Sequence, residues 1–366
     1  MEKCIKCGKT LPEESKFCFN CGFPVGALQI LRSCVECGNT LRTVDKFCSK
    51  CGVPVKVVKF NDGSIQNEDI PQVTLDKRPK MVPVPNGQFV MGSGTNNSLI
   101  TLVGFHMSEV PVTQTQYSFV MGKNPSKLIG SDRPVECVNW CEAIIYCNLL
   151  SVMSGLFPCY SIGGTTDLSG LEPSSPVWKR IVCNFAATGF RLPTEAEWEF
   201  AARGGDKNEA DWNYAFSGIQ SLKPIWRGTT ESDTDYYQKV QQCLVKDDNL
   251  ASVGWYPRNC SFTVHPVGSK TANRLGLFDM SGNLIEFCWD WYADSVTAND
   301  GKYKVAGVVT NPLGPDSSER VVRCQRGGSW TSYYEAYNCS VSSRTTVAGP
   351  GFLNMDNGFR LVCSGE

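Results

Sequence analysis

A chain of 366 residues carrying a formal charge of −1 has room for two or three domains, one of them large. Near neutrality excludes the strong field with which a wholly basic protein holds nucleic acid or an anionic membrane. No hydrophobic run approaches the length of a membrane-spanning helix.

The first element is a repeated cysteine pattern. Cys4-Ile-Lys-Cys7 and Cys18-Phe-Asn-Cys21 are two C-x-x-C knuckles, and the pattern returns thirty residues later as Cys34-Val-Glu-Cys37 and Cys48-Ser-Lys-Cys51. Four thiolates per unit suit a tetrahedral Zn²⁺, and the Gly after each knuckle lets the chain turn. A disulfide framework and a rubredoxin-like iron site would use the same cysteines. Units of about twenty-five residues cannot fold on buried apolar area alone, so a bound metal must supply the stability. The expectation is two zinc ribbons, residues 1–28 and 29–59, holding two Zn²⁺. Residues 1–59 carry ten Lys/Arg against five Asp/Glu. Two Cys₄ zinc sites of about −2 each cancel most of that surplus, which argues against nucleic acid as the ribbons' partner.

The remaining cysteines number eleven and show no framework spacing. Metal thiolates with odd free thiols indicate a reducing compartment, and Met1-Glu2-Lys3 leads into the first knuckle without an apolar run. A cytoplasmic protein is expected.

Residues 60–80 are polar and turn-rich and read as a linker. The second domain, residues 81–366, opens with the strand-like run Met81–Met91, in which Asn86-Gly87 predicts a hairpin turn. Thr113-Gln-Thr-Gln116 has capping-box spacing for a helix that stops at Gly122. Asn139 caps a second helix, with Ala143, Ile144, Cys147 and Leu150 on one apolar stripe that ends by Gly155. Thr194-Glu-Ala-Glu197 is another capping box, and Gly204-Gly205 ends that helix. Beyond it, short aromatic and β-branched runs alternate with Gly, Asn and Pro, which predicts irregular β structure with long loops.

Several blocks of this domain carry a resemblance. They include Gly87-Gln-Phe-Val-Met-Gly92, Arg133-Pro-Val-Glu-Cys-Val-Asn-Trp140 and Gly189-Phe-Arg-Leu-Pro-Thr-Glu-Ala-Glu-Trp-Glu-Phe-Ala-Ala-Arg203. Gly276-Leu-Phe-Asp-Met-Ser-Gly-Asn-Leu-Ile-Glu286, Arg326-Gly-Gly-Ser-Trp330 and Gly358-Phe-Arg-Leu361 follow in order. The domain resembles the formylglycine-generating-enzyme family, which implies an α+β fold of the C-type lectin-like kind. Fold alone does not fix function. The resemblance also implies a pair of reactive cysteines after the Gly-Gly-Ser-aromatic motif, but Ser332 and Tyr337 stand at those positions. Cys339 lies nearby alone and reads as a small buried hydrophobe. Related iron oxidases use three histidines, whereas this chain has only His106 and His265. No catalytic residue is expected. The alternative is an oxidase of this family with unfamiliar catalytic groups.

The family's Ca²⁺ site, carried onto this chain, would use the side chains of Asp279 and Glu286 and the carbonyls of Gly282 and Leu284. Hard oxygen ligands on one loop suit Ca²⁺. A turn whose carboxylates only accept hydrogen bonds is the other reading of the same residues.

Residues 331–357 hold no Lys, Gln, His, Ile or Trp. Apart from Glu335 and Met355, every residue there can be reached from an Asn codon by changing its adenines. Lying between Gly-Gly-Ser-Trp and Gly-Phe-Arg-Leu, the segment resembles the variable region of proteins diversified by retroelements, although any polar loop passes such a codon test in part. The composition is that of antibody binding loops, with rigid aromatics among small adaptable polar residues. Ser332, Tyr333, Tyr334, Tyr337, Ser343, Val347, Phe352, Asn354 and Asp356 are the expected contacts for a protein or other macromolecular ligand. Such a receptor is expected to face outward, which sits awkwardly with a cytoplasmic location.

Overall fold

Capping chemistry sets the helices where the sequence places them. In the computed structural model, α1 (Gln114–Met121) starts with a reciprocal box between Thr113 and Gln116 and ends on Gly122, whose φ is 67°. Helix α2 (Trp140–Met153) is boxed by Asn139 and Glu142. Helix α3 (Glu195–Ala202) is boxed by Thr194 and Glu197 and is followed by Gly204 and Gly205 at φ 84° and 74°. Such positive values suit glycine, which has no Cβ to clash. The structure describes residues 32–33, 40–41, 78–91, 98–222, 247–292, 308–315, 322–331, 335–346 and 350–364. The eight knuckle cysteines lie outside the described residues. Between them, β1 (Arg32–Ser33) pairs antiparallel with β2 (Thr40–Leu41).

Two expectations need correction. The Met81–Met91 run does not form a hairpin. Strand β3 (Met81–Val84) pairs with β6 (Phe105–Ser108), whereas β4 (Gly87–Met91) pairs with β5 (Ser98–Leu102). Pro83 and Pro85 cannot donate to a ladder, and the chain crosses between two sheets at Asn86-Gly87. Nor does α2 bury a single stripe. Trp140, Cys141, Ile145 and Tyr146 are buried together with Ala143, Ile144, Cys147 and Leu150, so protein surrounds the helix on nearly every side.

The sheets bring the ends of the domain together. Strand β14 (Val362–Ser364) lies antiparallel to β6, which stands between it and β3, so the last strand shares a sheet with the domain's opening strand. Strand β9 (Ile285–Trp291) runs between β11 (Arg323–Arg326), antiparallel, and β13 (Asn357–Gly358), parallel; β12 (Thr345–Thr346) adds to β11. β10 (Val308–Thr310) extends β5 in parallel, and β7 (Tyr160–Ser161) with β8 (Val182–Cys183) forms a separate ribbon. One apolar cluster surrounds α2, and a second packs α3 against β4, β5, β6 and β9.

All eight residues of α3 are buried, including Glu195, Glu197 and Glu199. A buried carboxylate must be paired, because the protein interior solvates charge poorly. Arg191 grips Glu197 through two hydrogen bonds of 2.7 Å. Arg203 and Arg326 pair with Glu199. Glu286 on β9 is held the same way: Arg360 donates to both its oxygens at 2.6 and 2.7 Å, and the Trp198 indole donates at 2.8 Å. Removing one partner of such a pair strands a charge. Arg360→Met is therefore expected to lower the unfolding free energy by about 3–5 kcal/mol in urea titration. A loss under about 1 kcal/mol would show that the pair contributes little.

Candidate functional site

Strand β11 carries the chain into Gly327 and Gly328, at φ 95° and 67°. At Gly328 a Cβ would come within 2.7 Å of the Asn338 backbone, so only glycine permits this approach. Ser329 and Thr331 both donate hydroxyl hydrogen bonds to Oδ2 of Asp356, tying the start of the C-terminal segment to its end. The Asp356 carbonyl accepts from the Ile285 amide at 2.8 Å, and Gln325 Nε2 donates to Asn357 Oδ1.

The middle of the segment is also anchored. Arg326 donates to the carbonyls of Val341 and Ser343 at 3.1 and 2.7 Å. Arg344, a residue of the segment, reaches inward and holds Glu195 by two hydrogen bonds of 2.5 and 2.7 Å. Burial alone would raise the Glu195 carboxyl, but Arg344 and Arg326 outweigh it and hold it down to about 2. Cys339 is fully buried against Phe216, Leu250, Val253 and Tyr256. Burial pushes its thiol up to about 12, far from a reactive thiolate.

Against this frame the expected contact residues divide. Ser332, Tyr333, Tyr334 and Val347 lie outside the described residues. Tyr337 is half-buried at the end of the 3-10 turn Glu335–Tyr337. Phe352 and Asn354 are exposed, joined by two neighbours the sequence reading passed over, Leu353 and Met355. Ser343 and Asp356 are buried, at 3% and 5% exposure, so a direct ligand contact is corrected to a scaffold position for both. Asp356 is occupied by the two hydroxyls, and Ser343 is fixed through its carbonyl by Arg326. Arg344 was missed because a lone arginine in a polar loop looks like surface.

The Ca²⁺ set does not fit a cation in this arrangement. Both oxygens of Glu286 are taken by the Arg360 guanidinium, itself a cation. Asp279 is buried and accepts from the Gly268 amide and from Asn283. Among the described residues no group of three or more His, Cys, Asp or Glu is placed to hold a metal. His265 stacks on Trp255 at 3.6 Å, and His106 sits half-buried on β6.

The profile of the sulfatase-modifying factor enzyme 1-like domain matches residues 66–364, and that of the double zinc ribbon matches residues 4–52. Chaperone protein LppX of Paenibacillus barcinonensis is 32% identical over 289 residues, covering 78% of this chain and 89% of that protein. The formylglycine-generating enzyme of Streptomyces coelicolor is 30% identical over 207 residues, covering 55% of this chain and 56% of that enzyme. Among solved structures, Treponema denticola variable protein 1 is 31% identical, with a TM-score of 0.61 over 78% of this chain and 95% of its own. The α+β, C-type lectin-like fold expected from the sequence is the one observed.

Two outcomes follow from this geometry. Glu195 ionises more readily in the folded chain than at its unfolded value of about 4.3, so its stabilisation is complete above that pH and is lost as pH falls toward 2. Arg344→Ala should therefore cost about 2–3 kcal/mol in urea at pH 7 and much less near pH 3, whereas Phe352→Ser should stay within about 0.5 kcal/mol at both. Equal losses from Arg344→Ala at the two pH values would refute the pairing. Millimolar Ca²⁺ added to the zinc-loaded chain should move the thermal midpoint of tryptophan fluorescence by less than about 1 °C; a rise of several degrees would show a site that reorganises to bind.

Proposed function

The chain belongs to the sulfatase-modifying factor enzyme 1-like family, and on that scaffold we propose a non-catalytic recognition protein that displays a diversified surface on residues 331–357. One observation carries this reading. The segment is fastened from beneath by Asp356, Arg344 and Cys339, while Phe352, Leu353, Asn354 and Met355 stand exposed upon it. A frame held by inward-facing residues lets outward positions change with little loss of fold. The ligand is a protein or other macromolecule.

The alternative, an oxidase of the same family, lacks visible chemical groups. Serine and tyrosine stand where the family's reactive thiols belong, at Ser332 and Tyr337. Burial keeps the neighbouring Cys339 thiol protonated. Incubating the full zinc-loaded chain with a cysteine-containing peptide, oxygen and either copper or iron should give no oxidation above the metal alone. Turnover that disappears in Cys339→Ser would establish the enzyme and sink the recognition reading.

The eight knuckle cysteines offer four thiolates per unit. Cys4, Cys7, Cys18 and Cys21 would hold one Zn²⁺, and Cys34, Cys37, Cys48 and Cys51 a second. The metal would supply folding energy to units too short for a core of their own. Elemental analysis should find about two zinc per chain and about one after Cys4→Ser; no zinc at all would overturn the assignment. No helix of the described residues is long and apolar enough to cross a membrane. The free thiols favour a reducing, cytoplasmic setting.

A further inference from the structure

One turn outside the C-terminal segment is held in a conformation that its residues disfavour. Ser261 and Phe262 both lie in the left-handed region, at φ 52° and 57°. For residues with a side chain this region crowds Cβ against the following carbonyl. The Phe262 ring is 84% exposed, so no burial offsets the strain. The surroundings fix the turn instead. Asn259 accepts from the Tyr256 amide at 2.8 Å and donates to the Gly254 carbonyl at 2.9 Å. A His265 ring nitrogen sits 2.8 Å from the Cys260 carbonyl.

The same turn is joined to the proposed recognition surface. Asn283, buried at φ 65°, accepts the His265 amide through its side chain and the Trp330 amide through its carbonyl. The Cys260 thiol lies 3.5 Å from the Trp330 carbonyl, and the Trp330 indole donates to the Met355 carbonyl at 3.3 Å. Phe262, Trp330 and the exposed run 352–355 are therefore set relative to one another by scaffold hydrogen bonds. Arg344 is turned inward onto Glu195 and Asp356 inward onto two hydroxyls, while the exposed run Phe352, Leu353, Asn354 and Met355 carries no charge of its own.

We propose that the turn from Tyr256 to His265 is a second, fixed part of the recognition surface, and that Phe262 is an apolar anchor for an apolar patch on a protein ligand. The inference rests on the recognition reading above. Strain kept at an exposed aromatic is what an anchor requires, because the ring is presented outward before the ligand arrives. Aliphatic Leu353 and Met355 beside the exposed rings of Phe352 and Phe262 make a mixed apolar surface, which suits the apolar side chains of a protein partner.

The test pans a displayed library of random peptides against the full zinc-loaded chain, then compares variants on the selected peptides. Aromatic and aliphatic peptides should be enriched. F262G should weaken them about tenfold while raising the thermal midpoint by about 2 °C, since glycine relieves the strain. A structural phenylalanine would give the opposite pair, a lower midpoint with affinity unchanged, and would overturn the proposal. If F352S with L353S weakens binding but F262G does not, the turn drops out and the recognition surface stands. If neither variant matters, the recognition reading itself fails. Enrichment of no peptide, with binding to immobilised glycans instead, overturns the assignment of a protein ligand.

Discussion

Buried carboxylates gripped by arginine organise this domain. Glu195, Glu197 and Glu199 lie on a helix with no exposed residue, and Glu286 lies on the central strand beside it. Arg191, Arg203, Arg326, Arg344 and Arg360 answer them from five separate places in the chain. Such pairs add little net stability over well-packed apolar groups, because both ions must leave water. Their effect is on geometry, since any arrangement that separates a pair leaves an uncompensated charge in the core. The sequence blocks Arg326-Gly-Gly-Ser-Trp330 and Gly358-Phe-Arg-Leu361 gain a physical meaning from this. Each supplies one arginine to the network.

That network also supplies what the proposed recognition surface requires, a segment fixed in place by residues other than those it displays. Arg344 belongs to the segment yet reaches Glu195, and Arg326 beneath it holds the carbonyls of Val341 and Ser343. Asp356 ties the end of the segment to its start. Positions that serve the frame face inward and those available to a ligand face outward.

Helix starts and stops were legible because caps are local: Thr113, Asn139 and Thr194 each carry their partner three residues on. Strand pairing was not, because β3 and β4 separate at Asn86-Gly87 to join partners in different sheets. A turn signal says that the chain bends, and only the burial of distant residues decides what it then pairs with. The candidate site was legible by composition but not by direction. Ser343 and Asp356 look like their exposed neighbours in the sequence, and their burial depends on arginines and hydroxyls that folding brings together. The expected Ca²⁺ ligands show the same limit, since nothing near Glu286 in sequence announces Arg360. The left-handed pair Ser261-Phe262 has no sequence signature at all, because glycine or asparagine would ordinarily mark it.

The central claim is that residues 331–357 are a diversified surface on a fixed frame. Its most direct test is to sequence the 3′ end of the gene and its flank from many cells of one culture. The account predicts a nearby near-copy of this region, with differences confined to template adenines. Altered codons should fall on outward positions such as Phe352, Leu353 and Asn354 and spare Arg344 and Cys339. Uniform codons with no repeat would contradict it, leaving a fixed-ligand member of the family.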